Sequence, residues 1–496
     1  MTRLIAVLTS LFILYPFAAQ AAGIDAAINQ FMTPVAAWCL GIVFAEIPLF
    51  GTKVPFIILW LMSIGIFTSV YFGFINFRLF RLSFSLLSEK SQKGTEEGQI
   101  SNWQALSTSL SGTVGLGNIA GVAVAISVGG PSATVWMILM GFLGMTTKFS
   151  ECALGVKYRK IDADGECSGG PMYYIQRCMA DRGFARIGKM LAVFFALCCI
   201  GGALGGGNMF QANQSYSMFM RLAGEGSFFT DKGWLFGLIL AVLTGIVIIG
   251  GIQSIARASA KIFPMMAGLY VLACLYIILS SYEAVPGAIA NIFGGVFTGE
   301  AATGGLIGAI IAGVRRAVFS NEAGTGSAAI TYAAVKSDSH ISQGLIAMLN
   351  PFIDTVIICT MTALVISVTG VYSVGAGMEG IALTARAFAT AGDWTIYLLG
   401  ITVFLFAYST LISWYYLGEK AFTYLVGRSP AKVLGFKIFY CAFVVIGAAA
   451  SLGPVIDFTD ALFFAMAIPN AIVLYVAAPE LKKDLKDWLE SRKKSA

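Results

Sequence analysis

Residues 107–122, STSLSGTVGLGNIAGV, form the stretch that decides the fold of this 496-residue chain. Small and hydroxylated residues and one amide, Asn118, stand here between apolar segments long enough to cross a bilayer. Gly112, Gly115 and Gly117 remove side-chain bulk and permit backbone conformations that interrupt a helix. We therefore predict a broken transmembrane helix. Secondary transporters bind their cargo at such breaks near the bilayer midplane.

The composition places the whole chain in a membrane. Hydrophobic residues make up 57% and charged residues 12%, whereas soluble domains carry about 25% charged residues. The net charge of +6 comes from Lys and Arg in short loops between apolar spans, which favours topology signals over a nucleic-acid surface. The nine cysteines form no CxxC pair, and His340 is the only histidine, so neither a His-based metal centre nor a His–Ser triad is predicted.

The N-terminal region has the features of a secretory signal. Residues 1–22 combine a basic start at Arg3, an apolar stretch, and the small-x-small sequence Ala19-Gln20-Ala21. This pattern predicts a cleaved signal peptide, with an ordinary first transmembrane helix as the alternative. Residues 24–48 are apolar and partly amphipathic, and we predict that they lie at the membrane interface.

Hydropathy predicts eleven membrane-spanning helices in the rest of the chain. They cover residues 54–75, 102–127, 133–157, 188–219, 233–252, 259–281, 303–330, 342–370, 394–418, 434–452 and 458–478. Clusters of Lys and Arg follow the first, third, fifth, ninth and eleventh spans. They share one side if the mature N-terminus is outside and the tail at residues 479–496 is cytoplasmic. This predicts a multi-pass inner-membrane protein.

The last ten spans divide evenly into two groups of five. Residues 23–101 hold the interfacial segment, the first transmembrane helix and a cytoplasmic loop, and residues 102–281 and 303–478 hold five spans each. The opening helix of each group contains a glycine-interrupted polar segment, at 113–118 and 320–327. Because five is odd, the second group is inverted relative to the first, and paired breaks in inverted repeats indicate a transport site.

Seven blocks of sequence resemble the sodium:alanine (alanine/glycine:cation) symporter family. They are TVGLGNIAGV (113–122), GGPSATVWMILMGFLGMTTKFSE (129–151), SGGPMYYI (168–175), GGNMFQANQS (206–215), FSNEAGTGSA (319–328), FIDT (352–355) and STLISWYYLGEKAFTYL (409–425). The resemblance implies an all-α, polytopic, five-plus-five inverted-repeat fold of the leucine-transporter type with one extra N-terminal transmembrane helix. It also implies sodium-coupled symport of small neutral amino acids, alanine and glycine, and no enzymatic activity.

An amino-acid zwitterion requires two opposite poles in its site. We expect N–H groups around Gly115 and Gly117 to bind its carboxylate, because an interrupted helix leaves donors unsatisfied at a positive dipole end. We expect carbonyl groups near Phe319, Ser320 and Asn321, in the second break, to bind its ammonium.

The coupling ion is expected at hydroxyl, amide and carbonyl oxygens near the first break. Likeness to leucine-transporter-type symporters implies that Asn118 is a cation or substrate ligand, the alternative being a cap of the resumed helix. Ser409 and Thr410 are adjacent hydroxyls in an apolar span, which is the sodium-site pattern of the wider fold. Carbonyls of Thr113 and Val114 would complete the sodium site, and Thr113 also contacts substrate. The alternative is that both hydroxyls bond back to their own helix.

Three further side chains are predicted to line the substrate pocket. The family block favours Trp414 as a wall that restricts the substrate side chain to a methyl group or hydrogen; the alternative is an interfacial anchor. Asn208 and Gln211, three residues apart, could line the same cavity or form interhelical hydrogen bonds.

Four ionisable groups fall within predicted spans, where charges are costly and usually paired or functional. Lys148 and Glu151 are expected to form a structural pair, since they are three residues apart on one helix. Glu322 is expected to pair with a residue of Arg315–Arg316, in a gate or as packing. Asp354 is assigned equally to coupling and to helix packing.

Other classes of function have less support in the sequence. The glycines at 115–121 follow no strand, and those at 324–326 have no P-loop lysine, so nucleotide binding is not predicted. No cofactor is expected besides the coupling ion, and the expected partners are a small neutral amino acid, sodium and lipid. A proton-coupled or differently selective amino-acid carrier is the main alternative, followed by a polar-lined channel.

Overall fold

The computed structural model describes residues 24–49, 52–89, 98–162, 165–224, 226–298, 305–337, 339–374 and 380–495. The predicted signal peptide at 1–22 lies outside these residues. The described part is almost entirely helical, with two short antiparallel hairpins, Glu46–Leu49 with Thr52–Pro55 (β1 and β2) and Lys160–Ile161 with Cys167–Ser168 (β3 and β4).

Twelve α-helices precede residue 281 in the described ranges. They are α1 Ile24–Val43, α2 Phe56–Tyr71, α3 Ile75–Arg78, α4 Phe80–Ser88, α5 Asn102–Thr113, α6 Val122–Gly129, α7 Ala133–Lys157, α8 Pro171–Ala180, α9 Ala185–Leu204, α10 Phe210–Ala223, α11 Gly233–Ile248 and α12 Gly251–Ser280.

Local sequence sets several of these boundaries. Ser101 and Gln104 form a reciprocal capping box that begins α5, and Pro171 occupies the first turn of α8, where its missing N–H is no loss. Gly130, with φ of +69°, follows the last residue of α6. The capping residues that begin α5 therefore lie just before the stretch in which the helix is interrupted.

Twelve further α-helices follow in the remaining described ranges. They are α13 Val285–Thr298, α14 Gly305–Asn321, α15 Ser327–Tyr332, α16 His340–Ala347, α17 Leu349–Pro351, α18 Thr360–Thr369, α19 Val371–Val374, α20 Ile381–Ala389, α21 Trp394–Val426, α22 Pro430–Ala449, α23 Leu452–Ala465 and α24 Ala467–Ser495. A short 3₁₀ turn, Tyr282–Ala284, precedes α13.

In the described residues, each predicted span overlaps a helix or a group of consecutive helices. Seven helical stretches of the described chain are long and apolar enough to cross a membrane, or eight when the bent pair Asn102–Thr113 and Gly117–Gly129 is counted as one span. The remaining predicted spans fall on α2 and α11, which have 16 residues each, on the charged α7, and on the broken pair α14 and α15. The protein is a multi-pass membrane protein.

The two ends of the described chain differ from the simple prediction. Residues 24–43, expected at the interface, form a helix of 20 residues that is long and apolar enough to span the bilayer and packs against α23. The predicted tail at 479–496 is not a separate segment, because α24 continues through it to Ser495. The predicted last span is divided at Met466, between α23 and α24.

Within the described part of the chain, three wide π-helical turns interrupt the bundle, at Gly117–Gly121, Gly205–Met209 and Phe352–Cys359. Such turns insert an extra residue into a helix and occur frequently at functional sites. Helix α7 packs against α2, α14 and α16, and α21 packs against α5, α9, α10 and α12. These contacts bring the first π-helical turn, the third one and the α14–α15 break to the centre of the molecule.

Candidate functional site

The first predicted break is present. Helix α5 ends at Thr113, the helix resumes at Gly117, and the two axes differ by 50°. Residues 114–116 between them are fully buried, so their backbone groups cannot be satisfied by bulk water. The prediction of an interrupted helix is confirmed.

The amides of this break already have hydrogen-bond partners, whereas the sequence suggested that they would be bare. Gly115 N donates to the carbonyl of Thr113 and to Asn118 Oδ1, both at 2.9 Å, and Leu116 N donates to Gln211 Oε1 at 3.0 Å. The expectation of free donors is wrong for Gly115, because a buried N–H finds the nearest acceptor. Asn118 thus caps the break from within, and Gln211 closes it from α10.

Close packing explains why glycine is needed here. A Cβ at Gly115 would lie 2.5 Å from Thr410 Oγ1, and one at Gly117 would lie 3.2 Å from a ring carbon of Phe319. Gly121, four residues further, would place its Cβ 3.9 Å from the nearest atom. The first two glycines therefore bring the backbone against α21 and α14, while the third has room.

We predict that Gly115→Ala lowers transport about 5- to 150-fold, since overpacking a rigid site costs about 1–3 kcal/mol. Gly121→Ala, in the same helix, should retain most of the transport. Initial rates of amino-acid uptake into proteoliposomes containing equal amounts of folded protein measure both. Equal losses in the two variants would contradict the packing argument.

The second break lies between α14 and α15. Glu322, Gly324 and Gly326 have φ values of +60°, +95° and +82°, and left-handed backbone is uncommon for a residue with a side chain. Glu322 is held there by Trp414 Nε1, which donates to its Oε1 at 3.0 Å, and by Ser327 Oγ, which donates to its Oε2. The strained residue is thus anchored on both sides of its carboxylate.

The predicted partners of Glu322 bind elsewhere. Arg315 Nε donates to Asp460 Oδ2 at 2.6 Å, and Arg316 donates to the same oxygen. The predicted pairing is wrong. Asp460 on α23 lies beside the two arginines, which are within α14, whereas Glu322 follows the last residue of that helix. The arginines thus connect α14 to α23.

Lys148 and Glu151, which were predicted to pair, share no hydrogen bond and no direct ion pair. Glu151 Oε1 accepts hydrogen bonds from Gly324 N and Gly326 N, both at 2.9 Å, and from Asn470 Nδ2 at 2.7 Å. Exposed N–H groups before a helix start favour an anion. Glu151 therefore binds the second break, and Lys148 is left without that hydrogen bond.

Asp354 connects the two breaks. Asn118 Nδ2 donates to Asp354 Oδ1 at 2.7 Å, Ser320 Oγ donates to Oδ2 at 2.8 Å, and Thr355 Oγ1 donates to Oδ2 at 2.7 Å. Thr362 Oγ1 donates to the carbonyl of Asn118 at 2.7 Å. The result is a buried set of carboxylate, amide and hydroxyl groups around one negative charge. Oxygen atoms of these kinds suit a hard cation.

The hydroxyl pair on α21 lies beside the first break, but it contacts other carbonyls than those predicted. Thr410 Oγ1 donates to the carbonyl of Ser111 at 3.0 Å, and Ser409 Oγ reaches the same carbonyl at 3.4 Å and the carbonyl of Phe406 at 3.0 Å. The contact of Ser409 with Phe406 is the back-bonding alternative. Thr113 and Val114 follow Ser111 by two and three residues, and neither hydroxyl donates to their carbonyls.

A small cavity lies between the two breaks. Its wall contains Gly112, Thr113, Gly117, Gly206, Gln211, Phe319, Glu322, Thr410, Trp414 and Phe463. Trp414 is 1% exposed and its Nε1 also reaches the carbonyl of Gly112 at 3.3 Å, so it lies in the cavity wall and not at the membrane interface. Three aromatic rings, from Phe319, Trp414 and Phe463, limit the size of the cavity.

The side chain of Asn208, predicted for the pocket, is directed elsewhere. Its Nδ2 donates to the carbonyl of Tyr440 at 2.8 Å, which is the interhelical alternative. The prediction for Asn321 concerns its carbonyl group; its side chain donates from Nδ2 to Thr355 Oγ1 at 3.0 Å. Sequence reasoning did not predict Gly112, Gly206 and Phe463 as lining residues. Gly112 was noted only for its effect on the helix, Gly206 belongs to a motif noted for other residues, and Phe463 is one of many apolar residues in a span.

Comparison with known proteins adds to this geometry. The sequence model of the sodium:alanine symporter family matches residues 7–496. The chain belongs to the sodium:alanine symporter family. This confirms the resemblance drawn from the seven sequence blocks, and it makes the protein a transporter and not an enzyme.

Curated relatives of this symporter cover nearly its whole length. The sodium/alanine symporter AgcS of Methanococcus maripaludis is 40% identical over 448 residues, covering 89% of this chain and 96% of its own. The amino-acid carrier protein AlsT of Bacillus subtilis is 35% identical, covering 87% and 89%. The probable sodium/glutamine symporter GlnT of the same organism is 33% identical, covering 88% of each chain.

A solved structure supports the fold of the symporter. The crystal structure of MhsT in complex with L-phenylalanine aligns with a TM-score of 0.54 at 14% sequence identity, covering 77% of this chain and 90% of that one. Similarity at this identity concerns the fold alone, which is the predicted leucine-transporter type.

Proposed function

We propose that this protein is a sodium-coupled symporter that carries alanine or glycine into the cell by alternating access. The observation that carries the proposal is the cavity between the two helix breaks, which is lined by residues of both breaks and by three aromatic rings. Binding sites of secondary transporters form at such paired breaks. The names of the relatives AgcS and AlsT support an amino acid as cargo.

The substrate carboxylate would bind at the first break, near Thr113, Gly115 and Gly117. Gln211 Oε1 now accepts from Leu116 N, and a carboxylate entering the cavity would replace that neutral acceptor with a charged one. Hydrogen bonds to a charged group are stronger than neutral ones. The exchange would release Gln211, which is a direct way for substrate to loosen the contact between α10 and the break.

The substrate ammonium would bind at the second break. Phe319 and Glu322 line the cavity there, and the carbonyl groups at Phe319, Ser320 and Asn321 belong to the C-terminal turn of α14, the negative end of the helix dipole. Trp414 and Phe463 close the remaining side. This arrangement favours a hydrogen or methyl side chain over a longer one, such as that of the glutamine named for GlnT.

Sodium is proposed at two positions beside the substrate. The first is formed by Ser409 and Thr410 with the carbonyls of Thr113 and Val114, which requires the Thr113 carbonyl to turn from its present donor, Gly115 N. The second is Asp354 with Ser320 and Thr355, whose hydroxyl oxygens already lie within hydrogen-bond distance of its carboxylate, and with Asn118, whose Nδ2 now contacts Asp354 while its Oδ1 accepts from Gly115 N. A cation at the second position would interact with both breaks. Occupancy of this position would therefore favour the conformation that binds substrate.

The membrane arrangement is proposed from the charge pattern. Residues 102–281 and 303–478 would form the two inverted repeats, after a signal peptide at 1–22 and the segment 23–101. The mature N-terminus would be outside, and residues 479–496 would be on the cytoplasmic side of the inner membrane, where Lys and Arg accumulate.

Uptake into proteoliposomes tests the proposed function. Labelled alanine should accumulate only under an inward sodium gradient, and glycine should compete better than glutamine. A proton gradient imposed without sodium is the matched control, since one relative carries the name putative sodium/proton-dependent alanine carrier protein YrbD. Uptake driven by protons alone would replace the sodium proposal, and uptake without any gradient at channel-like rates would exclude a symporter.

A further inference from the structure

Lys148 is a buried charge that the proposed transport site does not use. It lies in the middle of α7, its exposed fraction is 0%, and its Nζ has no hydrogen-bond partner among the described residues. An ammonium group at membrane depth is costly unless it is paired or functional. Charged groups close to Lys148 are therefore expected to stabilise its buried ammonium.

The direction of Lys148 follows from its neighbours on the same helix face. One turn before it, a Cβ at Gly144 would contact Ala323 at 2.8 Å; one turn after it, Glu151 binds Gly324 N and Gly326 N. Residues three and four apart share a helix face. Lys148 is thus directed at the second break, between two contacts that both belong to it.

Three buried carboxylates surround this region. Glu151 binds Gly324 N and Gly326 N of the second break, Glu322 lies within that break, and Asp354 accepts a hydrogen bond from Ser320 just before it. Their exposed fractions are 0%, 3% and 0%, and Glu151 Oε2 has no hydrogen-bond partner among the described residues. In the ionised state, three negative charges would face a single lysine. Buried charges without a counter-ion destabilise a protein strongly.

We propose that Lys148 is a resident cation of the transport core. Its ammonium is the counter-ion of Glu151, Glu322 and Asp354. Because the lysine is part of the chain, this positive charge cannot dissociate, and it replaces a bound monovalent cation that would otherwise balance the carboxylates. It is a positioning residue, because it acts on the second break through the carboxylates and touches no substrate. The part of the inference that concerns coupling rests on the proposed sodium symport.

A sodium titration of stability tests this inference without transport. The protein is the purified full-length chain in detergent. In choline chloride, we expect Lys148→Met to have a lower Tm than the parent. As sodium replaces choline, the Tm of Lys148→Met should rise by more degrees than the Tm of the parent. A ligand that binds only the folded state raises Tm with its concentration. Lys148→Arg, which keeps the charge, should retain the parental sodium dependence, and Lys261→Met, an exposed lysine on α12, is the control.

Double variants test the charge balance. Adding Glu151→Gln, Glu322→Gln or Asp354→Asn to Lys148→Met should each restore part of the Tm lost in choline, because each change removes one negative charge that Lys148 balances and residues in one charge network are non-additive. These pairs also test the inference if Lys148→Met alone does not fold. A second readout is the dependence of the alanine Kd on sodium, which should steepen by about one ion in Lys148→Met.

The outcomes separate this inference from the proposed function. An unchanged sodium dependence of Tm in a folded Lys148→Met, or no recovery in any double variant, would overturn the resident-cation role. If alanine is not transported but the Tm pattern appears, the role of Lys148 stands and the assigned substrate falls.

Discussion

Replacing Asp354 with asparagine should reduce sodium-driven uptake about 100-fold or more while the protein remains folded. Asp354 receives hydrogen bonds from Asn118, Ser320 and Thr355, and so joins the two breaks through one charge. Asparagine has nearly the same shape, but it removes that charge and one acceptor oxygen. Hydrogen bonds to charged groups are worth about 1.5–3 kcal/mol, and about 2.7 kcal/mol corresponds to a factor of 100.

Asp393→Asn is the matched control for this experiment. Asp393 is exposed and precedes α21, so its substitution should leave uptake near the parental rate. Uptake is measured as initial rate against sodium concentration, with folding checked by gel filtration. Parental uptake with unchanged sodium dependence in Asp354→Asn would remove Asp354 from the coupling site and leave it a packing residue.

Replacing Trp414 with leucine should broaden the range of substrates and weaken transport of alanine. The indole forms one wall of the cavity, donates to Glu322 Oε1 and touches the carbonyl of Gly112. Leucine opens space beside the substrate and leaves a strained, buried carboxylate with one donor fewer. An unsatisfied buried group costs about 1–3 kcal/mol, which corresponds to roughly a 5- to 150-fold loss of alanine uptake.

Competition distinguishes a loss of size selection from general damage. Glutamine should inhibit labelled-alanine uptake by Trp414→Leu at concentrations that have little effect on the parent. Trp394→Leu, at the exposed start of the same helix, is the control and should keep the parental preference. If glutamine remains excluded from Trp414→Leu, the indole does not set the size of the pocket, and the other two aromatic rings must do so.

The positions of the spans were accessible from the sequence because their signal is local. A run of apolar residues must be helical in lipid, since every backbone group has to be satisfied within the segment. Ala133–Lys157 was predicted to the residue despite its two buried charges. The segment around Ile24 was harder to place, because its length and polarity suit both an interfacial and a spanning helix.

The partners of the buried polar groups were not accessible in the same way. Glu151 was paired with Lys148 because the two are three residues apart, but its carboxylate binds Asn470, 319 residues away. Arg315 and Arg316 were assigned to the nearby Glu322, yet they bind Asp460 on another helix. Helical spacing gives the face on which a side chain lies, and it says nothing about which helix packs on that face.

By itself, the sequence determined that this protein is a membrane transporter of a known family with helix breaks at Gly115 and near Gly324. Glycine content, apolar length and motif order are properties of short segments, so they can be read before folding. Only the tertiary structure decided that Gln211 and Asn118 cover the amides of the first break and that Asp354 joins the two breaks. Desolvated donors and acceptors take whichever partner packing brings within about 3 Å, and packing is a property of the whole bundle.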